Sequence, residues 1–384
     1  MMILALAWRQ LFHQQARLLA AIAGIVFAVV LIMVQLGFQA ALYQSATLHY
    51  DHMTADIVLL SPQYEAIMYN NSGFPEQRLN QAYAVDGVSS TLAVYGSFIA
   101  WKNPWTHKER TMYMFGFNPV PGFFDLGDIK DPGPLLRRGD TVLFDDLSRK
   151  EYGDVPTAFR AGKRVVTEMV GHRVEVTGLF SAGTSFGIDG AVVMSDANFF
   201  RLLPGRSPEV VNFGLIKLKP GFDPDKVRAE LVKVLPNDVR VLTHSQLDAN
   251  EREFWSSNTP IGFIFALGVF LGLVVGIIVV YQILYTDVSD HLQEYATLKA
   301  IGYKDSFLFA IIICESVILS VFGYIPGLLI TLLIYHVATN ATFLPLRMTA
   351  ERGIVVYLLT IGMCVVSGAL ALRRLSRADP AEIF

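Results

Sequence analysis

Charge and cysteine are both scarce in this 384-residue chain. Asp, Glu, Lys and Arg make up 17% of it, where soluble domains carry about 25%, so long stretches have nothing to keep them in water. The net charge of −3 provides no basic surface for nucleic acid. The two cysteines, Cys314 and Cys364, fall inside apolar runs, which excludes a disulfide-stapled exported domain and a zinc site of the paired-cysteine type. No GxxxxGK[ST] phosphate loop occurs, so no lysine and helix N-terminus are arranged to hold the phosphates of ATP. A G-x-S-x-G elbow and an H-E-x-x-H pair are missing as well, leaving a hydrolase or protease reading without support.

What the chain has is apolar length. Four runs, Leu18–Leu42, Pro260–Tyr285, Phe307–Ala338 and Gly353–Leu372, meet the roughly 20 residues needed to cross about 30 Å of hydrocarbon. The first is too long for a signal peptide and is followed by no small-x-small cleavage site, so it is expected to be retained. From Leu18 to Tyr50 only Gly24 and Gly37 interrupt helix-forming sequence. Such a helix is about 50 Å long, and its excess should stand out of the bilayer as a stalk over residues 18–50. A second stalk is expected in "HSQLDANEREFW" (244–255), with "SSNTP" capping the membrane portion that runs to 285.

Between the first two spans, residues 51–243 have globular composition. Short β-type runs recur at 56–60, 91–101, 111–117, 141–144, 173–180 and 190–194, punctuated by Gly, Pro, Asn and Asp. Near the end comes a strand, a helix over Phe222–Val234 with Val227, Leu231 and Val234 at helical spacing, and a second strand. That pattern predicts a split βαβ unit in an α+β domain. Arg9 and Arg17 at one end, with Arg373, Arg374 and Arg377 at the other, place both tails in the cytoplasm and the large domain outside it. Arg347 and Arg352 then lie in the outer loop 339–352. Residues 1–17, with Leu4, Trp8, Leu11 and Phe12 on one face, suit a helix lying in the membrane interface.

The connection between the second and third spans, 286–306, contains "DVSDHLQEYATLKAIGYKD". As a helix, Val288, Leu292, Tyr295 and Ala296 share one face, and Asp287, Asp290 and Glu294 share the other. Gly302 offers a stop. Such a helix could rest on the interface and present acids to a cytoplasmic partner; a solvated connecting loop is the alternative.

The words "YQILYTDV" and "SDHLQEYATLKAIGY", the Glu early in the third span, "FGYIPG" later in it and the terminal "RRLSRADPAEIF" resemble the FtsX/MacB-type permeases of ABC transporters. The coupling wording is most similar to the DevC-type permease subunits of cyanobacterial DevBCA-type exporters. The resemblance implies four transmembrane helices, long stalks and a large α+β extracytoplasmic domain. A porter-like part would take 51–110 with 205–243, and a small β-rich part 111–204. It implies a non-catalytic homodimer in the bacterial inner membrane, with ATP and Mg held by a separate DevA-like ABC ATPase and no cofactor on this chain. A DevB-like membrane fusion protein and a TolC-like outer-membrane duct would receive a lipid-like, glycolipid or other hydrophobic cargo. An FtsX-like switch for a cell-wall hydrolase and a lipoprotein-release permease are the alternatives.

On the same resemblance, Asp287, Asp290, Leu292, Glu294, Tyr295, Leu298, Lys299, Gly302 and Tyr303 would couple to the ATPase. Arg377, Asp379, Pro380 and Glu382 of the tail 373–384 would touch it too. Glu315, an acid at membrane depth, is a functional candidate by default; a hydrogen bond across the helix bundle is expected, with a proton relay as the alternative. His49 and His52 have a spacing that could bind metal on a helix, but no third ligand is near in sequence, so surface histidines are expected. The glycine-rich "SAGTSFGIDG" (181–190) is expected to be a mobile loop between strands, with contact to a partner as the alternative.

Overall fold

The computed structural model describes residues 15–69, 72–185, 187–290, 297, 301, 303, 305–342 and 344–375. The chain divides into two compact units, one from its start to Ala41 together with Pro260 onward, the other Leu42–Thr259.

Among the described residues four helices are long and apolar enough to cross a membrane. We label α1 as Gln15–Asp51; the inserted unit then contributes α2 (Gln77–Tyr83), α3 (Asp196–Leu202), α4 (Pro224–Val234) and α5 (His244–Glu253). The remaining spans are α6 (Pro260–Asp290), α7 (Asp305–Thr342) and α8 (Ala350–Leu375). The membrane unit turns large apolar side chains outward, among them Phe263, Phe270, Leu329, Leu333 and Leu358. Lipid offers them the same environment as a core would, so the bundle's cohesion comes from close packing. Glycines supply that closeness. Gly268, Gly272 and Gly276 recur every fourth residue of α6, and a Cβ at Gly272 or Gly276 would come within 2.9 Å of Ile32 or Ala28 on α1. On α7, Gly327 meets Val29 of α1 in the same way at 2.8 Å. Buried hydroxyls bond back into their own helices, as Ser316 does to Ile312 and Thr360 to Val356. Ser367 also donates across to the Ile277 carbonyl at 2.9 Å.

In the inserted unit, the described residues include eleven strands: β1 (Ile57–Leu60), β2 (Phe74–Pro75), β3 (Val88–Lys102), β4 (Glu109–Phe117), β5 (Thr141–Asp145), β6 (Val165–Met169), β7 (His172–Phe180), β8 (Ala191–Ser195), β9 (Val210–Val211), β10 (Phe213–Leu218) and β11 (Arg240–Thr243). Nine of them form one mixed sheet in the order β11–β1–β10–β3–β4–β8–β5–β7–β6, and β2 pairs with β9. β10 and β11 both run antiparallel to β1, which lies between them. With α4 connecting them, this is the expected split βαβ unit.

Strands such as "IVLL" lack polar alternation because both faces of the sheet are covered. Ile57 and Leu59 join the core beneath α2, α3 and α4, with Leu79, Phe199 and Leu231. Val58 and Leu60 join the opposite core, with Tyr50 from the end of α1 and Leu247 from α5. β3 and β4 form the longest ladder, from Val94↔Phe117 to Lys102↔Glu109. At its turn the Asn103 side chain accepts from the amides of Trp105 and Thr106 at 2.9 and 3.0 Å, an Asx turn. Apart from the β2–β9 pair, the strands assigned to the porter-like and β-rich parts thus share a single sheet.

Candidate functional site

The segment expected to couple begins inside a membrane helix: Asp287–Asp290 are the last residues of α6 as described. Val288 is buried with Ile311 and Ile312 of α7, which places Val288 on an apolar face as its spacing suggests. The acids separate. Asp287 is only 8% exposed and, with Arg17, Ala21, Leu284 and Leu319, lines a small pocket. Asp290 is half-exposed and forms an ion pair with Arg17 of α1. Tyr303 packs its ring on Phe307, with centroids 4.6 Å apart. Leu292, Glu294, Tyr295, Leu298, Lys299, Gly302 and the tail residues Arg377, Asp379, Pro380 and Glu382 lie outside the described residues.

Glu315 of α7 is fully buried. Neither of its carboxyl oxygens has a hydrogen-bond partner among the described residues, so the bond expected across the bundle is not seen there. Gly368 of α8 packs closely on the neighbouring Ser316.

In the inserted unit, a second polar cluster was not anticipated from the sequence. The Glu251 carboxylate of α5 is fully buried. It accepts from the hydroxyls of Tyr50 at 3.0 Å and Tyr64 at 3.2 Å, and from the Trp255 indole N–H at 3.2 Å. The two tyrosine hydroxyls also bond each other. Burial pushes the Glu251 carboxyl up to about 7, against the lowering pull of hydrogen bonds from Tyr50, Trp255, Tyr64 and the Ile67 amide. Around this centre, His244 contacts the Tyr50 carbonyl at 3.0 Å. Arg240 donates to the Tyr64 carbonyl at 3.1 Å and to Asn250 at 2.8 Å. The cluster therefore ties together the end of α1, the segment after β1, and α5.

Local sequence explains why α5 forms there. Thr243 and Gln246 make a reciprocal capping box, and Leu247 and Glu251, four residues apart, share the buried face. The second stalk is not one continuous helix. After α5 the chain makes a π turn over Phe254–Asn258, and Thr259 is extended before α6 starts at Pro260. The useful sequence signal was a Glu on the apolar face of "LDANEREFW", four residues before a Trp.

Two further expectations change. His49 is not a surface histidine: it is 3% exposed and stacks on Phe115 with centroids 6.2 Å apart. The described residues contain no group of three or more potential metal ligands. The described part of 181–190 is anchored. Buried Asp145 accepts from the amides of Leu147, Ala182 and Gly183 at 3.0–3.2 Å, and a Cβ at Gly183, whose φ is +89°, would sit 3.1 Å from Leu48.

Comparison with known families accounts for both units. Residues 18–234 match the family described as MacB-like periplasmic core domain, and residues 266–380 match FtsX-like permease C-terminal. Among solved structures, the periplasmic region of MacB from Actinobacillus actinomycetemcomitans is 10% identical over 51% of this chain and 92% of its own, with a TM-score of 0.39. The extracellular domain of the noncanonic ABC-type transporter YknZ from Gram-positive bacteria is 15% identical over 49% of this chain and 99% of its own, with a TM-score of 0.35. A domain of a putative permease protein from Porphyromonas gingivalis is 12% identical over 50% of this chain and 89% of its own, at 0.31. No curated protein matches.

Proposed function

The chain belongs to the MacB-like, FtsX-like permeases, and from that premise we propose that it serves as the membrane subunit of an ABC exporter of the DevC type, driven by a separate ATPase. It is a multi-pass inner-membrane protein with a large periplasmic domain, and permeases of this kind work with an ABC ATPase. The observation that carries the exporter reading is the arrangement along the chain. A large mixed-sheet domain is inserted between the first and second spans, and α1 runs unbroken for 37 residues from Gln15 into that domain's core.

In this reading the ATPase grips the segment from Asp287 to Tyr303 and the tail from Arg377 to Glu382. ATP and Mg reside in that partner, since these 384 residues contain no phosphate loop. The Arg17–Asp290 ion pair ties the gripped segment to α1, so displacement of one is felt by the other. Two copies would work together, passing motion to a periplasmic fusion protein and a TolC-like duct, with a lipid-like or other hydrophobic cargo.

The test is affinity purification of the full chain from its native membranes in mild detergent, with mass spectrometry of the co-purifying proteins. An ATPase together with a membrane fusion protein is the expected result. An ATPase accompanied by a cell-wall hydrolase would replace the exporter reading with that of a signalling switch. Absence of any ATPase, where other transporters keep theirs, would overturn both.

A further inference from the structure

The cluster around Glu251 offers hydrogen-bond partners to the carboxyl in either protonation state. Ionised, the carboxylate accepts from Tyr50, Tyr64 and Trp255. Protonated, it becomes a donor, and the tyrosine oxygens, whose hydroxyl hydrogens rotate freely between partners, still have lone pairs to accept. The two states differ in what burial does to them. A fully buried carboxylate is penalised for its charge, a neutral carboxyl is not, and water entering an opened cluster would reverse that preference.

The chain next to Glu251 departs from regular α-helix. Trp255, one of its donors, lies within the π turn Phe254–Asn258, a geometry frequent at functional sites. Thr259 then leaves the helix in an extended conformation. α5 is thus held on one side by side-chain hydrogen bonds to Glu251 and joined on the other to the π turn.

We propose that Glu251 is a proton-operated latch: protonated, it holds the end of α1, the segment 61–69 and α5 together, and ionised, it releases α5 to rotate on the π turn. The groups that face it come from several elements. Tyr50 comes from α1, Tyr64 and the Ile67 amide from the segment after β1, and Trp255 from the π turn. Tyr113 of β4 feels the Glu251 charge and is itself raised by burial. On its own helix, Asp248 lies 3.9 Å from His244, and Arg240 of β11 spends its guanidinium on Tyr64 and Asn250. The balance of burial against three donors and an amide places the titration near neutrality, where a compartment open to the surroundings would sample both states.

The latch is separable from the exporter reading, because its readout is local opening and not transport. The experiment is hydrogen exchange of the full-length protein in lipid nanodiscs between about pH 6 and about pH 8.5, corrected for intrinsic exchange rates, following peptides from 61–69 and 244–258. Wild type is expected to lose about tenfold protection or more in both peptides as pH rises. Glu251→Gln, neutral at every pH, is expected to stay protected throughout. Protection in wild type that does not change with pH, or a Glu251→Gln profile that follows wild type, would overturn the latch. Trp255→Phe provides a second arm should Glu251→Gln fail to fold. Losing a donor to the ionised form moves the midpoint to higher pH, and an unmoved midpoint would overturn the latch as surely.

Discussion

The guanidinium of Arg17 and the carboxylate of Asp290 meet although 273 positions separate them. Each side chain is about two-fifths exposed, so the pair contributes no more than about 1 kcal/mol to stability. Its value is positional. Arg17→Asp should lower the thermal stability of the detergent-purified protein by about 1 kcal/mol, and combining it with Asp290→Arg should restore it. A double-mutant cycle with no coupling energy would mean the pair does not form in the membrane.

Glycine contacts within the bundle lead to a sharper expectation. Gly276→Val would drive a side chain into Ala28 and Met363, an overpacking worth about 1–3 kcal/mol. Gly362→Ala meets nothing within 4 Å and should be tolerated. Comparing the yield of folded protein from membranes for the two variants checks the packing, and equal yields would contradict it.

Among the described residues, the Asp145 carboxylate organises its loop through backbone amides. Asp145→Asn replaces one accepting oxygen with a donor facing those amides, at a cost of about 1–3 kcal/mol. Limited proteolysis of the full-length variant should cut within 181–190 faster than in wild type, and an unchanged cleavage pattern would show that the loop is held by other contacts.

Stability should also carry a signature of Glu251. A carboxyl raised from its ordinary 4.5 to about 7 by burial binds its proton more tightly in the folded protein than in the unfolded chain. Its contribution is therefore complete below about pH 4.5 and is lost as pH rises towards 7, by up to about 1.4 kcal/mol for each unit between them. Denaturation of wild type and Glu251→Gln across that window should give curves that diverge with rising pH, wild type losing relative stability. Parallel curves would contradict it.

For the ATPase contact, Glu294→Lys should reduce co-purification of the ATPase while leaving membrane insertion intact. Undiminished recovery would remove Glu294 from that surface.

Much of the architecture was readable from the chain. The four spans follow from apolar length, and the β-type runs between them sit within three residues of the ends of β1, β3, β4, β5, β7 and β8, because each is bounded by turn residues. β6 escaped notice. "VVTEM" pairs with β7 across a turn in which Val170 has a positive φ of 50° and Gly171 one of 76°, and a Val at such a position gives no turn signal. Helix ends were less legible than helices. α6 continues to Asp290 because Val288 is buried against α7, a tertiary reason that local charge could not reveal. The acidic face fared similarly, since Asp287 and Asp290 share a helical face but meet different surroundings. The Glu251 cluster joins residues 187 and 201 positions apart, and no local pattern announces a contact of that range.

The two helical legs of the domain keep time differently. An α-helix advances by about 100° and 1.5 Å for each residue, and α1 is uninterrupted for 37 of them. Adding a single residue near its middle would therefore turn Tyr50 about a quarter-circle relative to the glycine-packed half of the same helix. The same insertion at 254–259 meets a turn that already carries a surplus residue and could be absorbed there. Natural length variation among related chains should for that reason collect in the second leg and avoid the first.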